Sequence, residues 1–311
     1  MNTLLAGGAG FIGGHLADAL IKEGHRVICV DNLYLGTMEN IKHLLGREQF
    51  LFYQSDLDDY PAVNEIFKKE KIDYVFHLAA NSNIQVSANY PKIELKNTLL
   101  STFNLLECMR VYDVRSLFFA STSAVYGEKP EIDMSELSGP LEPISYYGSA
   151  KLASEAFIFA FSHMNDLHSL VFRFPNVIGD RLTHGVVFDF IKKLRANSKE
   201  LEILGDGTQS KPYMHVSDLV KGIMRFKDEV PQGVTVYNIG VETQTSVSKI
   251  ADIICEQMGL KDVEYKYTGG KIGWKGDVPT FKYDLSKIYS AGWHADLTSD
   301  EAVLRTVREV L

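Results

Sequence analysis

Three glycines spaced three apart, Gly7, Gly10 and Gly13, separate a short apolar run at residues 3–5 from a helical pattern at residues 11–23. Glycine permits a tight turn there and lets the backbone approach a pyrophosphate, whose charge meets the amino end of the following helix. A glycine triplet alone is a weak signal, so its surroundings decide. The next apolar run, residues 26–30, ends at Asp31, with Asn32 after it. That acid lies about twenty residues beyond the loop, where a carboxylate accepts hydrogen bonds from a ribose 2′-hydroxyl. It would repel a 2′-phosphate, which favours NAD over NADP.

Short apolar runs recur at residues 50–53, 74–80, 116–120 and 169–174, alternating with helical patterns at 60–70, 93–112 and 145–161. This rhythm predicts β-α-β units and an α/β fold. Right-handed crossovers then give a doubly wound parallel sheet. After Pro175 the rhythm changes. Helices are expected at 186–197, 247–258 and 299–310, and strands at 235–239 and 263–267. No repeat and no Pro/Ser-rich linker divides the chain. The expectation is a dinucleotide-binding domain over 1–175 and a smaller α/β region over 176–311, with segments near 213–240 returning to the first.

Composition excludes several classes. Of 311 residues, 45% are hydrophobic and 23% charged, and the net charge of −8 argues against a nucleic-acid footprint. The three cysteines, Cys29, Cys108 and Cys255, are far apart and form neither a disulfide framework nor a metal motif. No metal is expected. No apolar run approaches the roughly 18 residues of a membrane span. The N-terminus enters a buried-strand pattern with no basic segment before it, so a cytoplasmic protein is expected.

Candidate chemistry lies at the ends of the later strands. Asp56-Leu57, after the third, is placed to meet an adenine ring; Leu78-Ala79-Ala80, after the fourth, would line the cofactor. Ser121-Thr122-Ser123 follows the fifth, at the sheet edge where open α/β sheets bind ligands. Tyr147 and Lys151 are four apart on a predicted helix and share a face. The ammonium is expected to stabilise the phenolate and lower the tyrosine pKa. Tyrosine, lysine and a hydroxyl make an acid/base group for oxidising a carbinol.

These motifs together resemble the extended short-chain dehydrogenase/reductase group. Within it they are closest to NAD-dependent nucleotide-sugar epimerases and dehydratases of the UDP-glucose 4-epimerase kind. The resemblance is carried by residues 7–13, Asp31-Asn32-Leu33, His77-Leu78-Ala79-Ala80, Ser121 to Gly127, Tyr147 to Lys151, Arg173-Phe174-Pro175-Asn176 and His215-Val216-Ser217-Asp218-Leu219. Gly276-Asp277-Val278-Pro279 extends it. It implies a Rossmann domain and bound NAD, contacted by Gly7, Gly10, Phe11, Ile12, Gly13, Asp31, Asn32, Asp56, Leu57, Leu78, Ala79, Ala80, Asn97, Tyr147, Lys151 and Phe174. It implies Tyr147 as base and Lys151 on the nicotinamide ribose. Thr122 would bond the reacting hydroxyl, with Ser123 the near alternative. A nucleotide-diphosphate sugar would meet Ser123, Ala124, Asn176, Val187, Lys211, Tyr213, Trp274 and Asp277. A homodimer built on helices 93–112 and 145–161, and a setting in polysaccharide biosynthesis, are further implications.

Departures from the family pattern narrow the chemistry. Dehydratases and decarboxylases of the group carry an acid where this chain has Ala124. A methyl group cannot do carboxyl chemistry. No cysteine lies nearby to invert C3 or C5. What remains is redox at one carbinol, sugar C4: a 4-epimerase, or alternatively a 4-dehydrogenase that releases the ketone. A non-catalytic NAD-binding regulator is a third reading. Lys211 and Trp274 stand where many 4-epimerases have arginine. A lysine is a point charge and not a bidentate fork, so the nucleotide base stays open.

Overall fold

Thr3 to Ala6 are all buried, which places the strand β1 (Asn2–Ala6) inside a sheet covered on both faces. The computed structural model describes residues 1–129, 132–270, 278 and 280–311. After β1 come helix α1 (Phe11–Lys22), β2 (Arg26–Asp31), β3 (Phe50–Gln54), helix α2 (Tyr60–Lys69), β4 (Tyr74–His77) and β5 (Ser116–Thr122). With strands His168–Phe174 and Val234–Asn238 they form a seven-stranded sheet. Its order is Val234–Asn238, His168–Phe174, β5, β4, β1, β2, β3. The pairings among β1 to β5 are parallel. This is the doubly wound Rossmann-like sheet that the alternating pattern predicts. The chain leaves β1 toward β2 on one side and returns to β4 on the other. The gap between the carboxyl ends of β1 and β4 is therefore the topological switch point, where such sheets bind ligands.

By contacts the chain forms two compact units. The first comprises Met1–Val125, Ser145–Arg173 and Val220–Tyr237; the second comprises Tyr126–Ile144, Phe174–Leu219 and Asn238–Leu311. In the first, Leu4, Ile28, Val75, Leu117 and Phe119 of the sheet pack with Val63, Ile66 and Phe67 of α2 and with Leu105 and Met109. Asp59 caps α2 by accepting from the Ala62 N–H. In the second, helices Val186–Ala196, Val247–Gln257 and Ser299–Val310 bury Ile191, Leu194, Ile250, Ile254, Val303 and Val307 together with Leu201 and Ile203. Strand Glu200–Ile203 pairs parallel with Glu264–Tyr267, and Asn176–Ile178 with Tyr213–His215.

One expectation needs correction, and one helix was not foreseen. Residues 93–112 are not one regular α-helix. A short turn at Lys92–Glu94 passes into a π-helical turn at Leu95–Leu100, and only then into the helix Ser101–Val111. The Ser101 hydroxyl donates to the Lys96 carbonyl at 3.1 Å, five residues back, and Thr102 donates to the Thr98 carbonyl at 2.7 Å. Such side-chain bonds compete with the regular ladder and mark where it widens. The helix Val216–Phe226 goes unrecognised in the sequence because its opening residues read as a motif. There Asp218 is buried and accepts the Asp296 and Leu297 N–H groups, each at 3.1 Å, a structural tie within the second unit.

Candidate active site

The loop after β1 is shaped by its glycines. Gly7 has φ +81°, and a Cβ there would lie 2.7 Å from the Ala79 nitrogen. A Cβ on Gly13 would lie 2.1 Å from the Gly7 carbonyl oxygen. The first turn of α1 thus sits against the loop, and the loop against the segment leaving β4. Gly10, the N-cap of α1, offers no side-chain cap to the helix N–H groups. That is the cradle a diphosphate requires.

Asp31 closes the same corner. Its carboxylate accepts the Ala9 N–H at 3.0 Å and the Leu33 N–H at 2.8 Å, and burial pushes its pKa up. Sequence reasoning missed two supports of this corner. A Cβ on Gly36 would lie 2.8 Å from the Asp31 carboxylate, and the Asn40 amide donates to the Ala9 carbonyl at 2.9 Å. The signal for either is faint: a glycine and an asparagine in a loop. Asn32 bonds the Asp56 carboxylate, and Lys96 reaches Asp56 at 3.4 Å and Asp58 at 3.1 Å. Leu57 departs from its expected place: its side chain is 5% exposed and belongs to the core. Its carbonyl accepts from Asn104 at 3.0 Å. Leu78, Ala79 and Ala80 are half-buried beside the glycine loop, and Asn97 is half-buried on the π-turn.

The first unit also gathers Thr122, Tyr147 and Lys151. Thr122 ends β5, nearly buried, and its hydroxyl bonds the Tyr147 side chain and accepts the Ala124 N–H at 3.2 Å. Ser145 caps the helix Tyr146–Asn165 by accepting from Gly148, which sets Tyr147 and Lys151 in its first two turns. Lys151 is 1% exposed. Its ammonium donates to the Ala120 carbonyl at 2.7 Å and lies 4.6 Å from the centre of the Phe119 ring. Below, Glu155 takes the Ser121 hydroxyl and a two-pronged bond from Arg173 at 2.6 and 3.0 Å. Ser123 and Ala124 sit in the short turn after β5.

Burial dominates the electrostatics of the pair. Burial pushes the Tyr147 phenol up, the negative charge of Glu94 adds to this, and only the Thr122 bond opposes it. Burial brings the lysine itself down to about 7, against the pull of Glu94 and Glu155. A lysine near its own midpoint is a weak source of positive charge.

The expected substrate residues of the second unit divide. Asn176 is exposed and opens the strand Asn176–Ile178. Lys211 is half-buried on a two-residue strand paired with Thr245–Ser246. Phe174, expected at the cofactor and not the substrate, is half-buried. Val187 and Tyr213, 1% and 5% exposed, are core residues of that unit, so their side chains are spent on packing. Trp274 and Asp277, with Lys271 and Lys275, lie outside the described residues. Cys29, Cys108 and Cys255 are free and buried. Among the described residues no group of three or more His, Cys, Asp or Glu could hold a metal ion, and no helix is long and apolar enough to cross a membrane.

Similarity to known proteins agrees with this geometry. The UDP-glucuronate 4-epimerase of Thermodesulfobacterium geofontis is 31% identical over 98% of this chain and 94% of its own. A solved UDP-glucose 4-epimerase of Thermotoga maritima, determined with UDP-glucose, is 33% identical with a TM-score of 0.90, covering 99% of this chain and 98% of that one. A UDP-glucose 4-epimerase of Thermus thermophilus, solved with NAD, is 29% identical with a TM-score of 0.88 over the same shares. The family model for NAD-dependent epimerases and dehydratases matches residues 3–240. A glycine cradle, a buried strand-end acid and a Tyr-x-x-x-Lys at one sheet edge, matched along most of the chain, have one explanation: the chain belongs to the NAD-dependent epimerase/dehydratase family.

Proposed function

We infer that this chain is an NAD-dependent nucleotide-sugar 4-epimerase working through a 4-keto sugar. The observation that carries it is the group Thr122, Tyr147 and Lys151 at the carboxyl edge of the sheet, with a methyl group, Ala124, where elimination chemistry needs an acid. Gly7, Gly10, Phe11, Ile12 and Gly13 would hold the cofactor diphosphate, and Asp31 and Asn32 its adenine ribose. Asp56 and the Leu57 main chain would meet the adenine, and Leu78, Ala79 and Ala80 the middle of the molecule. Asn97, Lys151 and Phe174 would face the nicotinamide end. When bound, NAD would accept and return the hydride at C4, and its positive nicotinamide would favour the Tyr147 phenolate.

The chain's own residues manage the proton. As the phenolate, Tyr147 takes it while the C4 O–H bond breaks and the carbonyl forms, and returns it when the ketone is reduced on the opposite face. Thr122 shares that proton through its hydroxyl. Lys151, anchored on Ala120, holds the geometry. Asn176 and Lys211 would bind the diphosphate of the sugar. Tyr147→Phe removes the acid/base atom and is expected to lower kcat by roughly a hundredfold or more with KM little changed. Undiminished turnover would leave a regulator that only binds NAD.

We propose a cytoplasmic homodimer. Leu95, Leu100, Phe157 and Phe159 are exposed apolar side chains on the two segments that would pair, the π-turn and the helix Tyr146–Asn165. A sedimentation mass of one chain would contradict this.

A further inference from the structure

Tyr147, Lys151 and Glu155 are four apart on the helix Tyr146–Asn165 and form one stripe along it. That stripe meets the last three residues of β5. Tyr147 bonds the Thr122 side chain, Lys151 donates to the Ala120 carbonyl at 2.7 Å, and Glu155 accepts the Ser121 hydroxyl. Two of these contacts involve groups assigned above to the chemistry. The third joins Ser121, fully buried, to Glu155, 1% exposed, and no motif gives either a role.

Glu155 is itself anchored. Arg173, 4% exposed on the strand next to β5 in the sheet, grips it through two guanidinium nitrogens at 3.0 and 2.6 Å. The Glu155 oxygen that takes the Arg173 Nε also takes the Ser121 hydroxyl, so the anchor and the tie to β5 converge on one atom, Oε1. Burying such a pair removes two charges from water, and well-packed apolar residues of the same volume often stabilise a fold as well or better. What the pair adds is direction. A planar guanidinium meeting both oxygens of a carboxylate fixes its position and orientation, whereas apolar side chains can slide. Resting on the 4-epimerase reading above, we propose that Glu155 is a positioning residue: anchored by Arg173 and acting through Ser121, it holds the carboxyl end of β5 against the helix so that Thr122 and Tyr147 stay in bonding register. The contact Thr122–Tyr147 then need not hold the two elements together while it shares a proton with substrate.

Ser121→Ala tests this, because it cuts the tie to β5 and leaves the Glu155–Arg173 pair intact. Turnover (kcat) is expected to fall roughly tenfold, with KM and NAD affinity little changed, since the loss is one of alignment and not of binding. An unchanged kcat overturns the proposal, and so does a parallel loss of kcat, KM and NAD affinity, which would mark general loosening. Glu155→Gln should also lower kcat, and the double variant should lose no more than the worse single one, because both cut one connection. Losses that multiply oppose it. If Glu155→Gln fails to fold, Ser121→Ala decides alone. One readout needs no turnover: NMR of protein labelled at tyrosine Cζ, the Tyr147 resonance assigned by its loss in Tyr147→Phe. That resonance should be displaced in Ser121→Ala, and an unmoved one overturns the proposal. A wild-type protein that epimerises no nucleotide sugar refutes the 4-epimerase reading and leaves the Tyr147 resonance as the judge of Glu155.

Discussion

Lys151 shows how a residue can be legible in type and illegible in state. Its spacing from Tyr147 is plain in the sequence, and the structure bonds Tyr147 to Thr122 and Lys151 to the Ala120 carbonyl. The sequence does not say that the ammonium is turned onto the Ala120 carbonyl and buried. Those facts depend on long-range packing of the π-turn against the helix Tyr146–Asn165. They carry a stability consequence. The pKa of Lys151 falls from 10.5 to about 7 on folding, so the unfolded chain binds the extra proton between those values. Stability from this group therefore rises with pH across that window, and its penalty is complete below about 7. Lys151→Met is expected to abolish activity yet raise the thermal midpoint at pH 6 to 7, with the gain shrinking toward pH 10.5. A midpoint difference that is flat with pH would contradict the buried-ammonium account.

At the scale of elements, strands and helices of the first unit were readable because hydrophobic period and glycine punctuation agree there. The π-turn was not, because hydroxyl side chains bonding backbone carbonyls leave no periodic trace. The helix Val216–Phe226 was hidden by a motif that turned out to be structural at Asp218. Val187 and Tyr213 were misplaced for a related reason: family position names a region, but burial decides which side chains face out of it. The glycine loop was readable down to the residue, since each glycine answers a close approach. Gly13→Ala would set a Cβ 2.1 Å from the Gly7 oxygen, so α1 must shift from the loop. NAD affinity, measured by calorimetry, is expected to fall at least tenfold. An unchanged affinity would mean that the cradle is not where the diphosphate sits.

Across the whole molecule, the order of strands fixes a switch point between β1 and β4, and the residues proposed for the cofactor and the proton chemistry lie in the first unit. The fold alone permits many reactions. In the proposed function, a methyl group at Ala124 with Tyr147 and Thr122 nearby selects a reversible oxidation at one carbon. The central claim is that hydrogen leaves C4 as hydride and returns to the same carbon within one binding event. A nucleotide sugar carrying deuterium at C4, incubated with the purified protein and followed by proton NMR, measures this directly. The account predicts the C4 epimer with its deuterium retained. Accumulating ketone with reduced cofactor, or an epimer carrying solvent hydrogen at C4, would contradict it.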